Sequence, residues 1–487
     1  MKSLSHILRN VAHKCIAGGY EKEVLSITAD SRKAIHGSIF VALCGTQVDG
    51  HDYIDRAIDA GCDMIVMEKT PSLLRENVTY IKVPDSALAL GLIAAEYYDH
   101  PSEKLKLVGV TGTNGKTTTA TLLYEVFTTM GYKCGLFSTV KNIVAGEEIP
   151  ARQTTPDIIT LNSLMSQMVK EGCTYCFMEV SSHALDQKRV AGVTFAGAIF
   201  SNLTHDHLDY HHTFAAYRDA KKLLFDGLHK DAFALVNADD RNGSFMLQNT
   251  RAHKRTYSLT RLADFKCKIL EESFSGMWLT IDGRETHLPL TGRFNAYNSL
   301  AVYATAVMLG EEPVKVLEAL SMQKGVRGRF ETWISPSGVI CIVDYAHTPD
   351  ALENVIKTIN QMRTQNETFT IVVGCGGDRD KEKRPIMASI ASQGASQTIL
   401  TTDNPRNEEP MDILQQMNAG VPPSHYSRVV TIPDRAQAIR TACMTSRAGD
   451  IILVAGKGHE TYQEVKGIRT HFDDLEELKN YYKTITE

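Results

Sequence analysis

Residues 111–119 read Thr-Gly-Thr-Asn-Gly-Lys-Thr-Thr-Thr and follow directly on the apolar run Leu105–Val110. An apolar strand that turns through glycines into a helix is a phosphate-binding arrangement, and it commits the surrounding chain to an α/β sheet. Backbone N–H groups in such a turn wrap a phosphate chain, and the helix N-terminus adds partial positive charge. In this setting Lys116 reaches the β- and γ-phosphates and the Thr117 hydroxyl holds Mg²⁺. The usual spacing puts a glycine five residues before Gly115, where this chain has Val110. The match is therefore to a variant loop. The residues expected around the nucleotide are Gly112, Thr113, Asn114, Gly115, Lys116, Thr117 and Thr118.

The rest of the chain extends this pattern. At 487 residues it has room for about three domains. Residues 1–103 mix short β-rich runs (Ile39–Leu43, Met64–Met67) with a helical stretch at Ser86–Tyr98, and His100-Pro-Ser102 reads as a linker. Residues 104–334 alternate apolar strands (105–110, 175–180, 196–201) with helices after 116 and around 157–170, which predicts a mainly parallel sheet buried on both faces. Their end carries a helical stretch, Asn298–Leu309, and a basic turn, Lys324–Phe330. Ser335-Pro-Ser-Gly338 marks the next boundary. Residues 335–487 again alternate, with strands at Val339–Asp344, Thr368–Val373, Gln397–Thr402 and Ile451–Ala455. This last unit is Rossmann-like but lacks a G-x-G-x-x-G loop.

Composition narrows the function classes. Net charge is −5, so no broad basic surface argues for nucleic acid. No stretch approaches the ~18 apolar residues of a membrane span, and the N-terminus lacks the apolar core of a signal peptide. Several of the ten cysteines lie in or beside apolar runs (Cys44, Cys341, Cys375), which points to reduced thiols and a cytoplasmic location. Cys173 and Cys176 have redox spacing, but they lead into a strand and read as buried structural thiols.

Chemistry-bearing residues gather after the strands, where ligands of open α/β sheets bind. Glu179 ends one strand and could hold Mg²⁺ beside the loop. Asn202–His212 carries several imidazoles. Zinc would want three or four soft or imidazole ligands. Mg²⁺ prefers oxygen, so a mixed site with one histidine is the expected use. Composition alone reads Lys221 as an exposed helical lysine. Four polar turns follow the C-terminal strands: Asp344–Asp350, Gly374–Asp380, Asp403–Arg406 and Gly456–Glu460. If those strands are parallel, the turns converge on one sheet edge. There Arg379, Arg406, Lys457 and Glu460 would suit a substrate with both carboxylates and amines. In the first unit, Asp30–Arg32 and Gly45–Gly50 are polar turns that either hold a ligand or merely connect strands.

Taken together, Thr111–Thr118, Glu179–His183, Asp206–His211, Asp344–Asp350, Gly374–Asp380 and Gly456–Glu460 resemble the motifs of the Mur ligases of peptidoglycan synthesis, over the whole chain. The resemblance implies a UDP-substrate domain, a central ATPase and a C-terminal amino-acid domain. It implies that Glu179 and His207 are Mg²⁺ ligands with Thr117. Lys221 falls where the family has a carbamylated lysine, whose anionic carbamate helps hold a second Mg²⁺. Lys116, Lys221, Glu179 and His207 form the catalytic set. By position, Asn298, Arg329 and His347 contact ATP. Ala29, Ser31, Thr46, Gln47, Val48, Gln153, Thr154, Thr155, Ser181, Gln187 and Arg189 match positions that bind the UDP-muramoyl dipeptide. Gln153 stands where relatives often have Asn, and Thr46 departs from a His seen in some. Arg379, Asp403, Asn404, Pro405, Arg406, Gly456 and Glu460 match the amino-acid site.

The resemblance also implies which amino acid is added. In the family, Asp-Asn-Pro-Arg marks members adding meso-diaminopimelate, and Asp403–Arg406 matches it in full. The physics agrees, since a bidentate arginine can read the second carboxylate that L-lysine lacks. The implied reaction joins meso-diaminopimelate to the D-Glu γ-carboxylate of UDP-N-acetylmuramoyl-L-alanyl-D-glutamate through an acyl phosphate. It is expected from a cytoplasmic monomer working on small molecules. Alternatives are a lysine-adding ligase, a ligase like folylpolyglutamate synthase, and a nucleotide-dependent binding protein without turnover.

Overall fold

The computed structural model describes residues 2–45 and 48–486, so Thr46 and Gln47 of the expected substrate contacts lie outside the described residues. Three large sheets organise the chain. The first has five strands. Ser26–Thr28, Ser38–Val41, Met64–Met67 and Thr79–Lys82 run parallel, and Lys14–Ala17 closes one edge antiparallel.

The second sheet has eleven strands. At its centre lie, in spatial order and all parallel, Cys134–Phe137, Tyr175–Glu179, Lys106–Thr111, Gly197–Phe200, Phe233–Asn237 and His253–Ser258. Leu107, Val108 and Val110 on the middle strand are fully buried. Their side chains alternate between two cores, Leu107 in one and Val108 and Val110 in the other, which is why the strand reads as an unbroken apolar run. A hairpin, Lys141–Val144 with Glu147–Pro150, extends one edge. Phe265–Ser273, Gly276–Ile281 and Arg284–Leu288 extend the other. The loops after Lys106–Thr111, Tyr175–Glu179 and Gly197–Phe200 leave neighbouring strand ends, so the phosphate loop, Glu179 and the Asn202–His212 segment meet.

The third sheet has six strands, and Ile340–Asp344, Ile451–Ala455, Phe369–Val373, Gln397–Leu400 and Val429–Thr431 are parallel in that spatial order. The four polar turns therefore share one edge, as the alternation predicts. Glu331–Ile334 pairs antiparallel with Ile340–Asp344. The sheet thus takes in four residues from the central side of the expected 334/335 boundary, and Ser335–Gly338 is the turn of a hairpin. Helix Arg293–Met308 starts before the expected Asn298, which brings Asn295 into it.

Candidate active site

The loop's shape depends on its glycines. Gly112 and Gly115 have φ of 148° and 86°, in the region that favours residues without Cβ. A Cβ on Gly112 would lie 2.0 Å from Ser201 Oγ, and one on Gly115 would lie 2.6 Å from Asn298 Oδ1. Ser201 Oγ and Asn202 Nδ2 donate to Asn114 O at 2.6 and 3.1 Å, and Asn202 Oδ1 accepts from Asn114 N at 2.9 Å. Asn298 braces the first turn of helix Lys116–Thr129, accepting from Thr119 Oγ1 at 3.3 Å. Lys116 folds back on the loop and donates to Gly112 O and Thr113 O at 3.1 and 2.8 Å. Burial of its ammonium lowers its pKa.

Glu179 is 0% exposed. It accepts from Thr117 Oγ1 at 2.9 Å, Thr139 N at 2.7 Å and Thr139 Oγ1 at 3.2 Å. Among the described residues it has no ion-pair partner, so a buried anion faces the loop with room for a cation's charge. Arg329 Nη2 donates to Thr117 Oγ1 at 3.1 Å, and its guanidinium lies 4.5 Å from the Tyr345 ring centroid. Tyr345 in turn packs on His347 and His459 at 4.6 and 4.9 Å between ring centroids.

The structure overturns the compositional reading of Lys221 as an exposed helical lysine, since its side chain is 1% exposed. Its helix, Phe214–Asp226, buries Tyr217, Ala220, Lys221, Leu224 and Phe225, the i, i+3, i+4, i+7, i+8 stripe of a core-facing helix. Lys221 is on that stripe. Its amine donates to Gly112 O at 2.8 Å and lies 4.5 Å from the Tyr217 ring centroid. Burial, reinforced by the neighbouring Lys116, holds its pKa well below the ordinary lysine value. His207 caps the short helix Leu208–His211 in the left-handed region, with φ of 54°. Burial lowers its pKa, and His183, 4.8 Å away between ring centroids, is brought down to about 4, chiefly by burial. Both rings are neutral imidazoles near neutral pH. His205 is exposed.

Six of the expected dipeptide-contacting residues, Gln153, Thr154, Thr155, Ser181, Gln187 and Arg189, form one connected network on the central sheet. Arg189 donates to Gln187 Oε1 at 2.9 Å, Gln153 Oε1 at 2.8 Å and Thr155 O at 3.3 Å. Thr155 Oγ1 donates to Glu179 O at 2.8 Å and accepts from Ser181 N at 3.1 Å. Thr154 joins through Thr139 at 3.1 Å. Ala29, Ser31 and Val48 belong to the first unit, and among the described residues no hydrogen bond joins them to this network.

The third site is built on the C-terminal edge. Asn404 Nδ2 donates to Glu460 Oε2 at 2.8 Å, and Lys457, 0% exposed, donates to Asn404 Oδ1 at 3.1 Å and pairs with Glu460 at 3.3 Å. Burial and then Asp403 raise the Glu460 pKa. Gly456 must lack a side chain because a Cβ there would lie 2.8 Å from Asp403 Oδ2. Arg406, φ 51°, has its Nη1 on Gly377 O at 2.8 Å. A Cβ on Gly376 would lie 2.9 Å from that same nitrogen and 3.9 Å from Arg379 Cγ, so the two arginines flank one glycine. Arg379 is exposed.

Residues the sequence reading missed complete the picture. Arg384 is fully buried and forks onto Glu408 with two bonds of 2.9 Å. Its Nη2 also reaches Gly376 O at 3.1 Å, which ties the Gly374–Asp380 turn to the Asp403–Glu408 segment. Hairpin Tyr462–Val465/Ile468–His471 covers Asn404, whose Oδ1 accepts from Glu464 N at 2.9 Å. A cleft of about 410 Å³ lies between Asp209, Asp378–Lys381 and Glu408. A second cavity of about 230 Å³ is lined by Phe274, Leu290, Asn295, Phe330 and Arg329, whose guanidinium reaches Thr117.

The chain thus combines a glycine-shaped phosphate loop and a buried acid on one parallel sheet with an edge on a second sheet that carries Arg379 and Arg406, the arrangement of a phosphate-loop enzyme. The chain matches three family descriptions in sequence: Mur ligase family, catalytic domain, over residues 23–98; Mur ligase middle domain over 110–306; and Mur ligase, glutamate ligase domain, over 328–458. It is 55% identical over 469 residues to a protein of Parabacteroides distasonis named UDP-N-acetylmuramoyl-L-alanyl-D-glutamate–2,6-diaminopimelate ligase, covering 96% of both chains. It is 53% identical over 483 residues to a Cytophaga hutchinsonii protein of the same name, covering 99% of both. A solved structure with that name superposes with a TM-score of 0.71 at 32% identity, covering 100% of this chain and 99% of the other. The chain belongs to the Mur ligase family, whose members are ATP-dependent ligases.

Proposed function

We propose that this protein joins meso-2,6-diaminopimelate to the D-Glu γ-carboxylate of UDP-N-acetylmuramoyl-L-alanyl-D-glutamate, forming ADP and phosphate, in peptidoglycan synthesis. The observation that carries this reading is the intact Asp403-Asn-Pro-Arg406 turn, with Arg379 beside it at Gly376. The near-full-length relatives named for this reaction support it. Residues 1–103 would bind the UDP end, 104 to about 330 would hold ATP, and the remainder would bind the amino acid.

The reaction takes two steps. The γ-carboxylate attacks the γ-phosphorus of ATP, ADP leaves, and an acyl phosphate forms. The diaminopimelate amine then attacks the acyl carbon, and the tetrahedral adduct expels phosphate. The loop's backbone N–H groups hold the phosphate chain. Lys116 swings from the Gly112 and Thr113 carbonyls to the β/γ oxygens, where it offsets charge building in the transition state. Asn298 keeps the loop's shape, and Arg329, bonded to Thr117, and His347 would contact ATP. The neighbouring cavity, with Phe274, Phe330 and Asn295, suits a purine.

The donors fit Mg²⁺, because Glu179 is a buried carboxylate beside a hydroxyl, without an ion-pair partner among the described residues, and His207 is a neutral imidazole. Thr117, Glu179, His207 and Lys221 would hold two such ions, which when bound shield phosphate charge. Lys221 suits carbamylation, since burial favours the neutral amine, the form that adds CO₂, giving a carbamate and releasing one proton. Arg406 and Arg379 read the distal carboxylate, and Glu460, kept near Lys457, accepts an ammonium.

No helix among the described residues is long and apolar enough to cross a membrane. We place the enzyme in the cytoplasm, where ATP is available and its free thiols stay reduced, and expect it to act as a monomer. Phosphate release by the purified protein tests the reading. It should require ATP, Mg²⁺, the UDP-dipeptide and the amino acid together. Hydrolysis of ATP alone at the same rate would refute it.

A further inference from the structure

The proposed mechanism does not use Asp350. It lies in the first turn of helix Pro349–Met362 of the C-terminal unit. Its Oδ2 leaves that unit and accepts from Asn114 Nδ2 at 3.0 Å and from Thr204 Oγ1 at 2.9 Å. Asn114 is part of the phosphate loop. Thr204 opens the segment that carries Asp206 and His207, and its backbone N–H donates to Thr113 Oγ1 at 3.0 Å. One carboxylate oxygen thus joins both walls of the nucleotide site to the unit that carries the amino-acid site. Among the described residues Asp350 has no ion-pair partner, which leaves this oxygen to the two donors.

We infer that Asp350 is a positioning residue through which the C-terminal unit sets the shape of the phosphate loop. It touches neither reacting atom. It fixes the Asn114 side chain, and through Thr204 it fixes the path that presents His207. Docking of the C-terminal unit and order at the nucleotide site therefore depend on each other, so a substrate that draws that unit inward also firms the loop. The inference rests on the ligase reading for its kinetic consequence, but the loop's hold on ATP can be read without turnover.

The test is titration calorimetry of ATP with Mg²⁺, run beside steady-state kinetics, on D350A, D350N and T204V. Losing hydrogen bonds to a charged acceptor predicts an ATP affinity down roughly tenfold or more in D350A, with kcat lowered too. In D350N the carboxamide oxygen still accepts from both donors, so affinity should stay within about threefold of wild type. T204V removes one donor and should fall between. The KM for the UDP-dipeptide should not move in any variant. If Asp350 only caps its helix, D350A would lower the melting temperature and leave ATP affinity intact, which overturns the inference. D350N as damaging as D350A would also overturn it. Wild-type protein that binds ATP but turns nothing over would sink the ligase reading alone, because the calorimetric series still decides the role of Asp350.

Discussion

Replacing Lys221 by methionine should stabilise the protein while abolishing its activity. The residue is 1% exposed, and among the described residues it has no ion-pair partner and Gly112 O is its one hydrogen-bond acceptor, at 2.8 Å. Burying a polar group in such a place costs about 1–3 kcal/mol. The lost hydrogen bond returns about 1 kcal/mol of that. Gly112 O is not orphaned in the variant, because Lys116 still donates to it at 3.1 Å. Methionine keeps most of the stem's volume against the Tyr217 ring, so the cavity term is small. The net gain is about 1 kcal/mol, or a rise of roughly 1 °C in Tm for a chain of this length. Activity should fall at least about a hundredfold, because no anionic carbamate can form to complete the ion site. Differential scanning fluorimetry of the ligand-free protein in degassed buffer, beside a phosphate-release assay, reads both quantities. Added bicarbonate should raise the Tm of wild type and leave K221M unmoved. A Tm for K221M several degrees below wild type would mean that Lys221 carries a paired charge. Retained turnover would remove the carbamate from the account.

Two further substitutions probe other parts of the argument. Burial pushes the half-buried Glu125 carboxyl from 4.5 up to about 7, with Lys141 acting the other way. The unfolded chain therefore ionises first. Wild-type stability falls as pH rises through this window and stays low above it, and E125Q lacks that loss. At about 1.4 kcal/mol per unit, the advantage of E125Q in urea denaturation should grow by about 2 kcal/mol between about pH 5 and about pH 8. A pH-independent difference would contradict the burial argument. At the amino-acid site, R406K keeps the charge but loses the two-pronged fork. It should raise the KM for diaminopimelate about tenfold to a hundredfold and leave the KM for ATP alone; an unchanged diaminopimelate KM would move the carboxylate elsewhere.

The parts of this molecule that could be read from sequence are those where one local cause suffices. The strand before Gly112 is buried on both faces, so it shows as an unbroken apolar run. Ile451–Ala455 was legible for the same reason. The four C-terminal turns could be placed on one edge because alternation with helices implies parallel strands. Cys173 and Cys176 are buried free thiols, as their lead into a strand suggests.

Where pairing decides, the signal was weak. Phe265–Ser273 buries only Cys267, carries several charges and has a register shift, so it does not stand out as a strand. Glu331–Ile334 became part of the third sheet only through its hairpin with Ile340–Asp344. Lys221 carried a usable signal, since it falls on the same helical stripe as Tyr217, Leu224 and Phe225. Arg384 had none, and Asp350 was visible only as the end of the Asp344–Asp350 motif, because their partners lie on other elements and no spacing along the chain records such contacts. The roles of Glu179 and of the Asp403–Arg406 turn were in the sequence as resemblance. Geometry adds that Glu179 is fully buried and that Arg406 is held by Gly377.

The central claim is that the Asp403–Arg406 edge selects a substrate with a second carboxylate. The most direct measurement is the rate of peptide product formation from UDP-N-acetylmuramoyl-L-alanyl-D-glutamate and ATP, with meso-diaminopimelate and L-lysine compared side by side. The account predicts strong turnover with diaminopimelate and a kcat/KM for lysine lower by about a hundredfold or more, from the unpaired arginines it would leave. Equal or better turnover with lysine would contradict it.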